Sequence, residues 1–205
     1  MKRNDRYRYA TGRQLNEDSG RIYDVAGYRL PSVTSILSRT KDQGFLKEWR
    51  AKVGDKEADR IMNLSSVRGT AMHKYLESHI TDIGYEDLTD IGKQAKTMAE
   101  KVIEIGLTPV DEYYGSEVTM YYPGLYAGQT DLVCIHDGED AIVDFKQSNR
   151  PKRKEWIEDY YLQIAAYHRF LKRLDMYHDL IHDEKERYNS EKEDEEYLKE
   201  LQKKL

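Results

Sequence analysis

The spacing of apolar residues changes from helical to strand-like near the middle of the chain. Apolar residues recur every three or four positions in five early segments, which we predict to be helices: 33–37, 45–53, 55–64, 67–80 and 90–105. Ser32 precedes the first segment and can cap it. A further amphipathic pattern predicts a helix over 154–174. Residues 1–27 show no sustained period, and we interpret them as an extended arm with a short strand or hairpin near 22–28.

The second half of the chain contains short apolar runs with a period of two, which indicate strands. We predict three strands, over 117–121, 127–135 and 141–145. Turn sequences separate them, Tyr122-Pro-Gly-Leu125 first and His136-Asp-Gly-Glu139 second. The last two strands are apolar on both faces, as in a sheet that helices cover on each side. The pattern therefore predicts an α/β protein.

The Asp137-Gly138 turn brings two carboxylates together. If these two residues form the whole hairpin loop, Asp131 lies directly opposite Asp144, with Cβ atoms about 5 Å apart, and Lys146 projects from the same face. Two carboxylates this close repel each other unless one is protonated or a cation lies between them. Mg²⁺ or Mn²⁺ is the natural candidate, because hard cations prefer oxygen ligands. In the competing interpretation the loop is longer, the register slips, and both Asp residues mark solvated strand ends.

Four sequence blocks favour the metal interpretation because they match the motifs of one nuclease family in order. They are a glycine followed four residues later by a histidine within 68–77, Gly128-Gln-Thr-Asp131, Ile142-Val-Asp-Phe-Lys-Gln-Ser148 and Gln163-Ile-Ala-Ala-Tyr167. Over roughly 28–172 the chain resembles the RecB-like branch of the PD-(D/E)XK nucleases.

The resemblance implies a restriction-endonuclease-like core, in which helices flank a central mixed β-sheet. The implied nuclease domain spans 28–174 and begins with a helical segment. The arm over 1–27 precedes it, and a charged helix or tail over 175–205 follows it.

The resemblance also assigns roles to individual residues. His73, Asp131, Asp144 and the backbone carbonyl of Phe145 would hold Mg²⁺ or Mn²⁺, and Lys146 would orient or help to deprotonate the attacking water. These residues, apart from Phe145, are the predicted catalytic group. The predicted supporting residues lie on the helices of the first and fourth motifs: Glu77, Gln163 and Tyr167.

A second set of residues is predicted to contact DNA. Its members lie at the start of the histidine motif or in the basic loop after the third strand: Gly69, Ser148, Arg150, Lys152, Arg153 and Lys154. Over 141–173 the chain has 8 basic and 4 acidic residues, so this patch is basic although the whole chain has a net charge of −5. We expect the start of the histidine-bearing helix at Gly69 to approach the site or a phosphate closely.

Glu117 is a further acidic residue on the first predicted strand. The Tyr122–Leu125 turn would place it opposite Thr130, and therefore on the other face of the sheet from Asp131. We do not assign Glu117 to the metal on this basis, although a β-bulge would reverse its direction.

Composition narrows the possible classes of protein. The chain has 205 residues, 39% of them hydrophobic and 35% charged, which predicts one globular domain with an appendage. A net charge of −5 argues against a protein that coats nucleic acid with its whole surface. The single cysteine, Cys134, excludes an intramolecular disulfide and a four-cysteine iron–sulfur cluster, and fits a reducing cytosol. Because we find no apolar run of membrane-spanning length, we expect a soluble, cytoplasmic protein with no membrane partner.

The leading hypothesis is a divalent-metal-dependent DNA exonuclease that prefers single strands or free ends. A structure-specific endonuclease, a double-strand-resecting exonuclease and a DNA-binding module without activity are the alternatives. A zinc hydrolase built on His178 and His182 is a weaker one, because no glutamate follows the first histidine. The charged tail is a candidate docking site for a replication or recombination protein.

Overall fold

The computed structural model describes residues 1–148, 152–176 and 179. The chain divides into two units, Met1–His168 and Arg169–Leu205. In the second unit, residues 169–176 and 179 are helical. Arg150, the histidine pair at 178 and 182, and most of the predicted charged tail lie outside the described residues.

The main sheet of the first unit has four strands in the order β1-β5-β6-β7. Their bounds are Lys2–Arg3 for β1, Val110–Tyr122 for β5, Tyr126–His136 for β6 and Glu139–Val143 for β7. β1 pairs with β5 in parallel, and the other pairs are antiparallel. The sheet is therefore mixed, as predicted.

The β6–β7 hairpin has the predicted two-residue loop. Asp137 and Gly138 both have positive φ angles, 51° and 81°, which is the geometry that a tight hairpin turn requires. His136 pairs with Glu139, and the ladder continues to Leu132 and Val143. The predicted register is confirmed, but β7 ends at Val143, one residue before Asp144.

The β5–β6 hairpin differs from the prediction. Its loop comprises three residues, 123–125, because Tyr122 pairs with Tyr126. In the resulting register Ser116 and Val118 pair with Leu132 and Thr130, so Glu117 lies opposite Asp131 rather than opposite Thr130. Placing Glu117 on the other face of the sheet was therefore wrong.

Four α-helices precede β5. They are α1 Val33–Thr40, α2 Gly44–Val53, α3 Asp55–Thr81 and α4 Asp90–Gly106. The Ser32 side chain caps α1 by accepting a hydrogen bond from the Ser35 amide, as predicted. The two helices predicted over 55–64 and 67–80 form one 27-residue helix, because the two serines between them do not interrupt helical hydrogen bonding. Later in the unit, Lys154–Trp156 form a 3₁₀ turn and residues 158–168 are helical.

Helices α3 and α4 cover one face of the main sheet. From α3, Met72, Leu76 and Ile80 are almost fully buried; from α4, Ala95 and Ala99 leave room for the two helices to approach each other. Burial of each large side chain contributes about 1.5–3 kcal/mol of transfer free energy.

Strand β6 contributes Leu132 and Cys134 to the same core. Cys134 is fully buried. Burial raises the pKa of its thiol to about 11, and the charge of Asp140 acts in the same direction.

The N-terminal residues cover other parts of the molecule. Tyr7 is buried against Tyr114 of β5, with ring centroids 5.2 Å apart. Strands β2 Gly12–Glu17, β3 Gly20–Val25 and β4 Tyr28–Pro31 form a second, antiparallel sheet. Its apolar residues pack against Ala127 of β6. Residues 1–27, interpreted above as an extended arm, thus carry three strands.

The α/β class and the helix-flanked mixed sheet are confirmed, and they are compatible with a restriction-endonuclease-like core. None of the helices in the described part of the chain has the length and apolar character that a membrane span requires.

Candidate active site

His73 lies where helix α3 meets the end of the main sheet. Its Nε2 atom is 3.0 Å from the backbone oxygen of Phe145, and its Nδ1 atom is 3.2 Å from a carboxylate oxygen of Asp131. A carboxylate oxygen of Glu117 is 3.9 Å from the same Nδ1. The imidazole therefore contacts residues from β5, from β6 and from the segment that follows β7.

Both ring nitrogens of His73 face hydrogen-bond acceptors, and a neutral imidazole can donate to only one of them. Burial acts to lower the pKa of His73, but the hydrogen bond to Asp131 and the charges of Asp131 and Glu117 outweigh it and raise the pKa. In the metal-free protein this environment favours the imidazolium, which donates from both nitrogens.

Glu117 occupies a strained position opposite Asp131. Its φ angle of 53° lies in the left-handed region, which costs a residue with a side chain about 1–2 kcal/mol. The Gln129 side chain donates a 3.0 Å hydrogen bond to the Glu117 carbonyl oxygen and holds this peptide. Burial and the nearby charge of Asp131 raise the pKa of Glu117 to about 7, although His73 opposes them.

His73, Glu117 and Asp131 form a candidate metal site. Each offers one ligand atom, and these atoms lie within 4.8 Å of one another. The side chains are 30%, 27% and 9% exposed, so a cation could enter from solvent and still be partly shielded. Two carboxylates and one imidazole suit a divalent cation that accepts both oxygen and nitrogen ligands, and Mn²⁺ fits this set more readily than Mg²⁺.

Asp144, predicted as a metal ligand, lies outside that group of three. One of its carboxylate oxygens pairs with the Lys146 ammonium, and the other accepts a 2.8 Å hydrogen bond from Gln163. Burial raises the pKa of Asp144, Lys146 lowers it and Asp131 raises it further. Asp144 and Lys146 are thus next to the candidate site and close enough to influence its charge.

The predicted supporting residues Gln163 and Tyr167 are both buried. The Gln163 side-chain amide also contacts the Tyr167 hydroxyl, 3.4 Å away. Tyr167 in turn packs against Gly128, where an added Cβ would lie 2.5 Å from the tyrosine oxygen. Glu77 is half-buried one turn beyond His73, and its charge adds to the raised pKa of Glu117.

Gly69 lies inside α3, so the expectation of a helix start at this position was wrong. A Cβ at this position would lie 3.5 Å from Nε2 of Gln147, which is an ordinary contact distance. The glycine therefore adjoins the segment that follows β7, one helical turn before His73.

The predicted DNA contacts Ser148, Lys152, Arg153 and Lys154 are all exposed. Two of them adjoin aromatic rings that the sequence did not single out as binding residues. The Lys152 ammonium lies 4.8 Å from the ring centre of Tyr160, and the Arg153 guanidinium lies 5.4 Å from that of Trp156. The Lys146 ammonium also faces Tyr160, at 5.5 Å, which links this basic surface to the candidate site.

The fold and the site together define an α/β protein with a candidate divalent-metal centre at one end of its mixed sheet. No protein-family model matches the chain. Over 150 residues the chain is 29% identical to mitochondrial genome maintenance exonuclease 1 of Mus musculus, an alignment that covers 67% of this chain and 43% of that protein. The chain thus spans less than half of that relative's length, and the match supports a relationship to a nuclease.

Proposed function

We propose that this protein is a divalent-metal-dependent DNA exonuclease that hydrolyses phosphodiester bonds, prefers single strands or free ends, and acts in replication, recombination or repair. The observation that carries the proposal is the convergence of His73, Glu117 and Asp131 next to the Asp144–Lys146 pair. The similarity to a genome maintenance exonuclease supports the same conclusion.

His73, Glu117 and Asp131 would hold the cation, and Asp144 would add a negative charge beside it. The Phe145 carbonyl faces Nε2 of His73, on the other side of the ring from the two carboxylates, and would orient the imidazole. When bound there, a divalent cation supplies Lewis-acid activation of the scissile phosphate and of the attacking water. Strain at Glu117 and the raised pKa of the same carboxyl are features that cluster at functional sites.

Lys146 supplies the mobile positive charge of the proposed mechanism. Its side chain is 34% exposed, whereas that of its partner Asp144 is 6% exposed, so the ammonium can turn from the buried carboxylate toward a bound phosphate. From that position it would orient the attacking water and stabilise charge on the phosphate oxygens. Gln163 would keep Asp144 in place meanwhile.

The basic surface beyond β7 suits a flexible DNA strand. Lys152, Arg153 and Lys154 can follow phosphates, and the Trp156 side chain, 56% exposed beside Arg153, offers a flat face on which a base can stack. Stacking requires unpaired bases, and this requirement supports the preference for single strands or frayed ends.

Incubation with Mn²⁺ or Mg²⁺ and end-labelled DNA tests the proposal. We expect the protein to degrade linear single strands faster than linear duplexes, to leave circular single strands intact, and to stop when EDTA is added. Cleavage of circles at the linear rate would instead identify an endonuclease, and metal-dependent binding without cleavage would identify a binding module.

A matched pair of substitutions tests the active-site assignment. Asp144→Asn should lower the single-turnover rate by at least 100-fold, because it removes the charge that Lys146 and the cation share. Asp111→Asn changes an exposed aspartate of β5 in the same way and should leave the rate unchanged. Equal rates for the two variants would contradict the assignment.

A further inference from the structure

The segment 144–148 bears much of the proposed chemistry but belongs to no helix or strand. It follows β7 directly and carries Asp144, Phe145 and Lys146. Since no ladder or helix holds its backbone, its position depends on side-chain hydrogen bonds and on burial of the Phe145 ring in the core.

Two of those hydrogen bonds involve the candidate metal ligands themselves. The Phe145 amide donates to the Asp131 carboxylate, and the Phe145 carbonyl faces Nε2 of His73. These contacts use Oδ2 of Asp131 and Nε2 of His73, whereas Oδ1 of Asp131 and Nδ1 of His73 face each other on the side of the candidate site. A cation bound to His73 and Asp131 would still change the charge of both groups and so alter both contacts. A third connection, independent of the ligands, would keep the segment in place when the cation arrives.

Gln147 makes such a connection. Its side-chain oxygen accepts a 2.8 Å hydrogen bond from Nε of Arg68, and its side-chain nitrogen donates to the backbone oxygen of Ser65. Both partners lie on α3, and the Gln147 amide lies over Gly69, one helical turn before His73. Gln147 therefore joins the helix that carries His73 to the segment that carries Phe145 and Lys146 through two hydrogen bonds.

We propose that Gln147 is a positioning residue that fixes the segment 144–148 against helix α3 and thereby sets the distance from His73 to Phe145 and Lys146. This inference rests on the proposed function. The position requires an amide, because one end must accept from Arg68 and the other must donate to a carbonyl. Glutamate cannot donate to Ser65, and methionine, of similar volume, can do neither.

The test uses the full chain and compares Gln147→Met with Gln94→Met. Gln94 lies on α4, accepts a 3.4 Å hydrogen bond from Nη1 of Arg68 and serves as the matched control. Hydrogen exchange of the Phe145 amide in EDTA reports the position of the segment without any catalysis. Steady-state kinetics with Mn²⁺ and single-stranded DNA report the consequence for the reaction.

For Gln147→Met we expect about tenfold faster exchange at Phe145, unchanged exchange in the α3 core and about tenfold lower kcat, with KM within twofold of the wild-type value. Gln94→Met should match the wild type in all of these. If Gln147→Met kept the wild-type exchange rate at Phe145 and the wild-type kcat, the proposal would be overturned. A rise in KM alone would also overturn it, because it would mean that Gln147 contacts DNA. If Gln147→Met does not fold, Arg68→Met, which removes one of the two hydrogen bonds, should show a smaller acceleration of the same amide.

The two proposals fail in different ways. A wild-type protein without nuclease activity would overturn the proposed function, while the exchange measurement would still decide whether Gln147 holds the segment.

Discussion

Glu117 reaches His73 and Asp131 because a three-residue loop, not a two-residue one, joins β5 to β6. The Pro-Gly pair at 123–124 suggested the shorter loop, and the error of one residue moved Glu117 to the wrong face. His73, Asp131, Asp144 and Lys146 were proposed from motifs, and their roles stay predictions. Gln147 stands inside the third motif block but received no role there, and Tyr160 was not singled out, because their partners lie 79 and 14 positions away and a single glutamine or tyrosine has many uses.

Glu117 should make the metal-free protein less stable as the pH rises. Its pKa is about 7 in the folded protein against 4.5 in the unfolded chain, so between these values the folded state holds a proton that the unfolded state has lost. Stability from this carboxyl is therefore lost as the pH rises from 4.5 to 7. Relative to Glu117→Gln, the wild-type free energy of unfolding should fall by about 2 kcal/mol over this window.

Urea unfolding in EDTA at pH 5, 6, 7 and 8 measures this difference. Glu104→Gln alters an exposed glutamate of α4 and should keep the wild-type pH dependence. If the free energy of unfolding depended on pH in the same way for the wild type and for Glu117→Gln, Glu117 would have an ordinary pKa.

At the level of elements, turn chemistry predicted one of the two hairpin loops of the main sheet, and apolar spacing located the helical regions. The Asp-Gly turn fixed the β6–β7 register because only that loop suits two successive left-handed residues. Apolar spacing located the first four helical regions but divided α3 in two, since a gap in the apolar pattern at two serines does not break a helix. The second sheet, β2–β4, was largely missed because its strands are short and mostly exposed.

Gly128 of β6 packs directly against Tyr167 of the helix over 158–168. An added methyl group would lie 2.5 Å from the tyrosine oxygen and 2.6 Å from a ring carbon, and Tyr167 is too buried to move aside. Gly128→Ala should therefore lower the free energy of unfolding by about 2 kcal/mol.

Thermal unfolding checks this expectation. Gly106→Ala provides the comparison, because a Cβ at that position meets only Val102, at 3.7 Å, and alanine favours the helix. Equal melting temperatures for Gly128→Ala and Gly106→Ala would contradict the close packing seen at Tyr167.

At the scale of the whole first unit, the N-terminal residues are part of the packed structure. Tyr7 packs against Tyr114 of β5, and β3 and β4 pack on β6. Sequence patterns did not predict this packing, since Tyr7 contacts Tyr114 across more than a hundred residues. The net charge of −5 was equally uninformative, because the exposed basic residues near the site are local.

Tyr7→Ala should lower the free energy of unfolding by about 3 kcal/mol, because it leaves a cavity beside Tyr114. Tyr161→Ala removes a tyrosine side chain whose residue is 57% exposed and should cost less than about 1 kcal/mol. Equal denaturation midpoints would mean that the packing of Tyr7 on Tyr114 contributes little to stability.

Cys134 gives the protein an internal reporter of unfolding. Thiol reagents attack the thiolate, and at neutral pH a buried thiol with a pKa of about 11 offers almost none. Modification of Cys134 therefore requires β6 to leave the core, and the rate of thiol labelling measures how often the sheet opens. Because the chain has a single cysteine, one mass shift per molecule would follow the loss of native protein directly.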